Sequence, residues 1–153
     1  MSLAKETIGL AAEYAVASEL CRRNCYTQLT LGNRKRTDLL IETEKVLLRI
    51  QVKAKQKREW PGCRGIYGAD SLLVFVDFEG KDEGVRPDFY ILTADDWRTL
   101  FEATLVESLR DGKVTIDDCN VPRWDHGFYG VSVFPAEIAD CKERWDKITT
   151  RCS

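Results

Sequence analysis

The chain has a single histidine, His126, and none of its six cysteines (21, 25, 63, 119, 141 and 152) belongs to a C-x-x-C pair. A structural zinc needs four ligands at tight spacing, so these absences argue against one. No apolar run approaches the roughly 18 residues that a membrane helix needs. The opening MSLAKETIGL lacks a basic stretch followed by an apolar core, which reads as no secretory signal. Without export a disulfide framework is not expected, and the thiols read as reduced and mostly buried in a cytoplasmic protein. Internal repeats, low-complexity tracts and linkers are lacking as well. The 153 residues therefore read as one domain, 1–153, with enough chain to bury a core.

A large net charge is also missing: the total is −2. The distribution is uneven, however. Residues 33–58 carry nine basic side chains (Arg34, Lys35, Arg36, Lys45, Arg49, Lys53, Lys55, Lys57 and Arg58) against three acidic ones (Asp38, Glu42 and Glu44). A positive patch on an otherwise acidic protein is what attraction to phosphates requires, although a solvated, ion-paired hairpin would carry the same charges.

What is present reads as alternating helix and strand. Residues 5–23 place Ile8, Ala12, Val16 and Leu20 at helical spacing in an alanine-rich segment, with Glu13 at the edge of the apolar stripe and Asn24 as a stop. Residues 26–31 read as a short strand before a Gly32-Asn33 turn. A hairpin follows, and the Gly- and Pro-containing residues 60–68 read as a loop. SLLVFVDF (71–78) is a nearly continuous apolar run that suits a strand covered on both faces. DFYIL (88–92) is the next strand. Thr93 and Asp96 form a capping-box pattern for a helix with Trp97, Leu100, Phe101 and Leu105 inside and Gly112 as its end. Residues 113–134 show turn signals and one short strand near 129–134. Pro135 opens a last helix with Ile138, Cys141, Trp145 and Ile148 on its inner face. The fold class is α/β (α+β): an N-terminal helix on a mixed sheet of about five strands, with C-terminal helices.

The hairpin RTDLLIETEKVLLRIQVKAKQ (36–56) can be resolved into faces. Side chains alternate along a strand. Val46, Leu48, Ile50, Val52 and Ala54 share one face without a polar interruption, and Arg49, Gln51, Lys53 and Lys55 share the other. Burial requires the apolar sets of the two strands to coincide. Asp38 must then lie opposite Arg49, Gln51 or Lys53. A four-residue loop over 43–46, or a two-residue loop at 44–45, places it opposite Gln51. Asp38, Gln51 and Lys53 are thus expected within a few ångströms of one another. Any half-exposed hairpin alternates in this way, and Arg49 with Glu42 would be an ordinary cross-strand pair.

Thr37-Asp38 followed by Gln51-Val52-Lys53 resembles the PD-(D/E)XK nuclease superfamily, whose restriction endonuclease-like core begins with a helix that often supplies a further Glu. Gly9 and Glu13 resemble that helical element. The run from Tyr67 and Asp70 through SLLVFVDF into DFYIL resembles the end of the core in the Gln-bearing, homing-endonuclease-like members. The resemblance covers roughly residues 5–100. It departs from the family in Thr37 (usually Pro), in a Gly-rich loop where many members have a helix, and in Gln51, an amide where an acid is usual.

The resemblance implies a metal-dependent endonuclease hydrolysing DNA phosphodiester bonds, with RNA left open as a substrate. Its cofactor would be Mg²⁺ or Mn²⁺, held by Asp38, Gln51, the Val52 carbonyl and Glu13. Lys53 would orient the attacking water or stabilise the phosphorane. Arg34, Lys35, Arg36, Lys55, Lys57 and Arg58 would hold the nucleic-acid backbone, and Thr37 and Gln56 would donate to the groups around them. At this size, sequence-specific cutting calls for a homodimer. The alternative is a catalytically silent nucleic-acid-binding or protein-interaction module on the same fold, since an amide adds no charge to a cation site.

Overall fold

A computed structural model describes residues 2–30 and 37–153. Arg34, Lys35 and Arg36, and the turn expected at Gly32-Asn33, lie outside the described residues. Helix α1 (Lys5–Cys21) buries Ile8, Ala12, Val16, Ala17 and Leu20. It ends as Asn24 permits: Asn24 takes φ +64°, a left-handed conformation that asparagine tolerates better than most residues. The N–H groups of Asn24 and Cys25 donate to Cys21 O and Leu20 O at 3.1 and 2.9 Å, a Schellman closure.

Strands β1 (Thr27–Leu29), β2 (Leu39–Glu42), β3 (Leu47–Lys55), β4 (Trp60–Cys63), β5 (Ser71–Asp77) and β6 (Asp88–Thr93) follow. Five of them form one sheet in the order β1-β2-β3-β5-β6. Only the β3–β5 pair is parallel, so the sheet is mixed. The remaining elements are α2 (Ala94–Thr104), α3 (Val106–Arg110), β7 (Val114–Ile116), β8 (Pro122–Trp124), β9 (Val131–Val133), a 3₁₀ helix (Pro135–Cys141) and α4 (Asp146–Cys152). The fold is α/β, with the N-terminal helix, the mixed five-stranded sheet and the C-terminal helices expected from the sequence.

The core has two layers. On one face of the sheet, α1 side chains with Trp145 and Ile148 pack on Leu39, Ile41, Leu48, Ile50, Leu72, Val74 and Val76. On the other, Trp60, Cys63, Trp97, Phe101, Val131, Val133 and Ile138 pack on Leu73, Phe75, Tyr90 and Leu92. Strand β5 is therefore covered on both sides, as its unbroken apolar run requires. Among the described residues no helix is long and apolar enough to cross a membrane.

Three expectations change. Residues 60–63 are not loop but strand β4, with Trp60 opposite Val133 and Cys63 opposite Val131. Its two buried residues are three apart across a bulge, so the alternation that announces a strand is absent. The helix expected to run to Gly112 breaks at Leu105 into α2 and α3. The last helix is divided as well, between the 3₁₀ helix and α4, with Glu143 at φ +56° in the gap. Ile138, Cys141, Trp145 and Ile148 are all buried, but a bent chain brings them there. The capping box at α2 is formed: Asp96 N–H donates to Thr93 Oγ1 at 3.1 Å, and Thr93 N–H donates to Asp96 Oδ2 at 2.8 Å.

Candidate active site

The hairpin turn is closed by Thr43, whose N–H donates to Val46 O at 2.8 Å and whose hydroxyl accepts from Val46 N–H at 3.0 Å. The resulting register pairs Leu39 with Ile50, Leu40 with Arg49, Ile41 with Leu48 and Glu42 with Leu47. Continued by one residue, it brings Asp38 to the level of Gln51, as parity and loop length require.

Strand β2 begins at Leu39, so Val52 has no strand residue opposite it. Along β3 the odd-numbered backbone groups bond towards β5 and the even-numbered ones face β2. The Val52 N–H would be left without a ladder partner. Asp38 supplies one: its Oδ2 accepts from Val52 N–H at 2.7 Å, while its own N–H donates to Ile50 O at 2.9 Å. A carboxylate accepting a backbone N–H is a strong, orienting bond. The same bond fixes the Asp38 side chain at the point where the two strands part.

Glu13 reaches Asp38 from α1. Glu13 is held above its ordinary value of 4.5, first by burial and then by its interaction with the nearby Asp38 carboxylate. One helical turn before Glu13, a side chain at Gly9 would meet nothing within 4 Å. Packing therefore does not demand this glycine, which leaves a shallow open shelf beside Glu13 with Lys5, Glu6 and Leu10 at its edges.

Gln51 lies on the opposite face of β3. It is only 7 % exposed. Among the described residues, its Oε1 is the one buried side-chain oxygen or nitrogen without a hydrogen-bond partner. It borders a cleft of about 270 Å³ with Thr37, Arg49, Tyr67, Asp70 and Ser71. Lys53, next on this face, is half-buried and makes no ion pair among the described residues. Its charge is felt by Cys63, whose thiol burial pushes up to about 12 against that charge.

The structure thus ties Asp38 directly to Val52, sets Glu13 of α1 near Asp38, and places Gln51 level with Asp38 along the sheet but on the face away from α1. It does not bring Lys55 to the site. Lys55 was expected to hold phosphate, but its side chain is 1 % exposed, with its Nζ 2.7 Å from Asp77 and 3.0 Å from Glu79. The ammonium also lies 4.9 Å from the centre of a Trp60 ring and donates to Lys57 O at 2.8 Å. A buried lysine satisfied on all these sides has nothing left for a ligand. Gln56 is also taken: it exchanges hydrogen bonds with the backbone of Leu3 at 2.7 and 2.9 Å. Lys57 and Arg58 are exposed, with the Arg58 guanidinium 5.3 Å from the Phe134 ring centre. Arg49 pairs with Asp70 and not with Glu42. Parallel pairing explains that choice, since β5 begins with Ser71 directly opposite Arg49.

A divalent cation suits this donor set. Two carboxylates, an amide oxygen without a partner and a strand carbonyl are all hard oxygen ligands, the kind that Mg²⁺ and Mn²⁺ prefer. Among the described residues no three His, Cys, Asp or Glu side chains gather to hold a metal.

No protein-family model matches the chain, and no curated protein matches it. Among solved structures, a bacterial homing endonuclease is similar, with a TM-score of 0.44 and 19 % identity over 61 % of this chain and 71 % of that one. A similarity of this degree says nothing about which residues act, or on what.

Proposed function

We propose that the protein is a metal-dependent endonuclease that hydrolyses DNA phosphodiester bonds at the Asp38 site. The observation that carries this reading is the buried, unpartnered Gln51 Oε1 at the level of an Asp38–Glu13 carboxyl pair. A protein that buries an amide oxygen without a partner forfeits about 1–3 kcal/mol. A bound ligand removes that penalty. Asp38 would be the principal holder of the cation, already aimed by Val52 N–H. Glu13, Gln51 and the Val52 carbonyl would complete the donors. When bound, the cation supplies positive charge against the phosphate oxygens in the transition state. Lys53, which has no carboxylate partner among the described residues, would hold the attacking water or the phosphorane oxygens. Lys57 and Arg58, with Arg34, Lys35 and Arg36, would position the backbone without reading sequence. Cutting both strands at one place would need a second copy of the chain.

The test is nicking of supercoiled plasmid DNA with Mg²⁺ or Mn²⁺. Asp38→Ala and Lys53→Ala should each lower the rate by at least about 10²- to 10³-fold. Cleavage that survives both changes would remove these residues from the mechanism.

A second reading has one observation in its favour: Gln51 brings no charge, so only two carboxylates face the cation. In that reading the chain binds nucleic acid or a protein partner and cuts nothing. It predicts salt-sensitive, metal-independent binding and no nicking with any divalent ion. Gln51→Glu separates the two, since added charge at a working site should tighten Mn²⁺ binding measured by calorimetry.

A further inference from the structure

The far wall of the cleft beside Gln51 is the segment 64–70, and it is held from several directions. Gly65 lies against Trp97 so closely that a Cβ there would stand 1.9 Å from the indole. Trp97 is fully buried, and its Nε1–H donates to Asn120 O at 2.9 Å. Arg151 donates to Ala69 O at 2.6 Å, and Arg49 N–H donates to Asp70 O at 2.8 Å. Every one of these anchors fixes backbone. None of them involves the Tyr67 side chain, which stands 51 % exposed on the rim. An aromatic ring on a fixed loop, half in water, adds little to stability. It is, however, a ready platform on which a nucleobase can stack at low entropic cost.

Across the cleft, the Arg49 guanidinium rests on the Asp70 carboxylate, with side chains 45 % and 47 % exposed. A pair so exposed is worth little, whereas a guanidinium binds phosphate through two parallel hydrogen bonds. Asp70 can therefore be displaced. The hydroxyls of Thr37 and Ser71 supply the remaining polar groups.

We infer that this cleft receives one nucleotide held out of the base stack, with its base against Tyr67 and its phosphate on Arg49 in place of Asp70. The inference rests on the reading of the chain as acting on DNA, and it narrows the substrate to DNA with an unpaired or extrudable nucleotide beside the cut. Thr37 links the two sites, since it borders the cleft and immediately precedes Asp38.

The test uses a duplex carrying one unpaired 2-aminopurine, bound in EDTA so that cleavage plays no part. The wild-type chain should quench the probe and bind this duplex more tightly than a fully paired one. Tyr67→Ala should lose the quenching and bind about tenfold or more weakly, while Tyr67→Phe keeps both. Asp70→Asn should tighten binding and steepen its salt dependence by about one phosphate contact, a gain that a structural role for Asp70 would not produce. Tyr26→Ala, at a tyrosine 71 % exposed that does not border the cleft, should change nothing. Binding unaffected by Tyr67→Ala in a chain shown by circular dichroism to be folded, or weakened by Asp70→Asn, overturns the inference. Nicking by the wild type is followed in parallel. Cleavage with no dependence of binding on Tyr67 overturns the cleft alone. Quenching that depends on Tyr67, without cleavage in Mg²⁺ or Mn²⁺, upholds the cleft and overturns the hydrolytic reading.

Discussion

Gln51 and Lys55 are buried polar side chains on the same face of the same strand, four residues apart, and the protein treats them in opposite ways. Lys55 is given two carboxylates, a carbonyl and an aromatic face. Gln51 is left with an amide oxygen that finds no hydrogen-bond partner among the described residues. One sequence pattern, alternating polar residues on β3, therefore holds two different kinds of residue. A polar group satisfied from every side belongs to the fold. One buried and left unsatisfied is explained by something the fold itself does not contain. Lys53 lies between them and resembles Gln51 in this respect, having no ion pair among the described residues.

The largest effect that tests this contrast is on stability. Lys55→Met removes the cation from Asp77, which is only 7 % exposed, and leaves a buried charge uncompensated. The expected loss is about 3–5 kcal/mol in urea denaturation. Lys53→Met should change stability by no more than about 0.5 kcal/mol and lower nicking instead. Equal destabilisation by the two would erase the distinction between them.

The next effect has the opposite sign. Gln51→Met replaces an unsatisfied amide with an apolar side chain of similar shape. It should stabilise the metal-free protein by about 1 kcal/mol while lowering the affinity for Mn²⁺. A loss of stability would mean that the amide is already satisfied inside the fold.

The β2–β3 hairpin and strands β5 and β6 were legible because one physical rule, burial of a continuous apolar face, fixes strand, register and neighbours together. That rule, together with the loop length, places Asp38 level with Gln51. It could not separate Lys53 from Lys55, because the partners of Lys55 lie in the next strand and beyond, at Asp77 and Glu79, and only the parallel pairing of β3 with β5 brings them near. Residues 113–134 were opaque for a related reason. Strands β7 and β8 are three residues each and form a small sheet of their own, too short for alternation to appear. Tyr67 carried a signal, an aromatic residue between Ile66 and Gly68 in a glycine-rich segment. Its place beside Gln51 depends on how Trp97 receives Gly65, and no local pattern encodes that contact.

Two carboxylates repeat the contrast and respond to pH in opposite directions. Burial opposes ionisation of Asp96, but the Thr93 N–H, Lys147 and the Thr93 hydroxyl outweigh it and hold Asp96 below its ordinary value of 3.8. Its stabilising contribution is present above 3.8 and is lost as pH falls through the lower, folded-state value. Glu13 is held above 4.5. Its contribution is present below 4.5 and is lost as pH rises through the higher, folded-state value, because there the native state binds more protons than the unfolded one. Urea midpoints measured against pH in EDTA should show both slopes. Asp96→Asn should remove the acid one and Glu13→Gln the other. Two slopes of the same sign would contradict the placement of Glu13 against Asp38.

The smallest effect concerns Gly9. A glycine inside a helix is less favourable than alanine by roughly 0.5–1 kcal/mol, and nothing lies within 4 Å of a Cβ built at this position. Gly9→Ala should therefore stabilise the protein by about that amount. The shelf that Gly9 leaves open adjoins Glu13, one turn along the helix. If DNA approaches the carboxyl pair over that shelf, the added methyl group should weaken DNA binding even as it raises the urea midpoint. A protein both more stable and less able to bind would place Gly9 with Gln51, among the residues that the fold alone does not explain. Unchanged binding would leave the glycine without a role at the site and confine the approach of the strand to the Gln51 face.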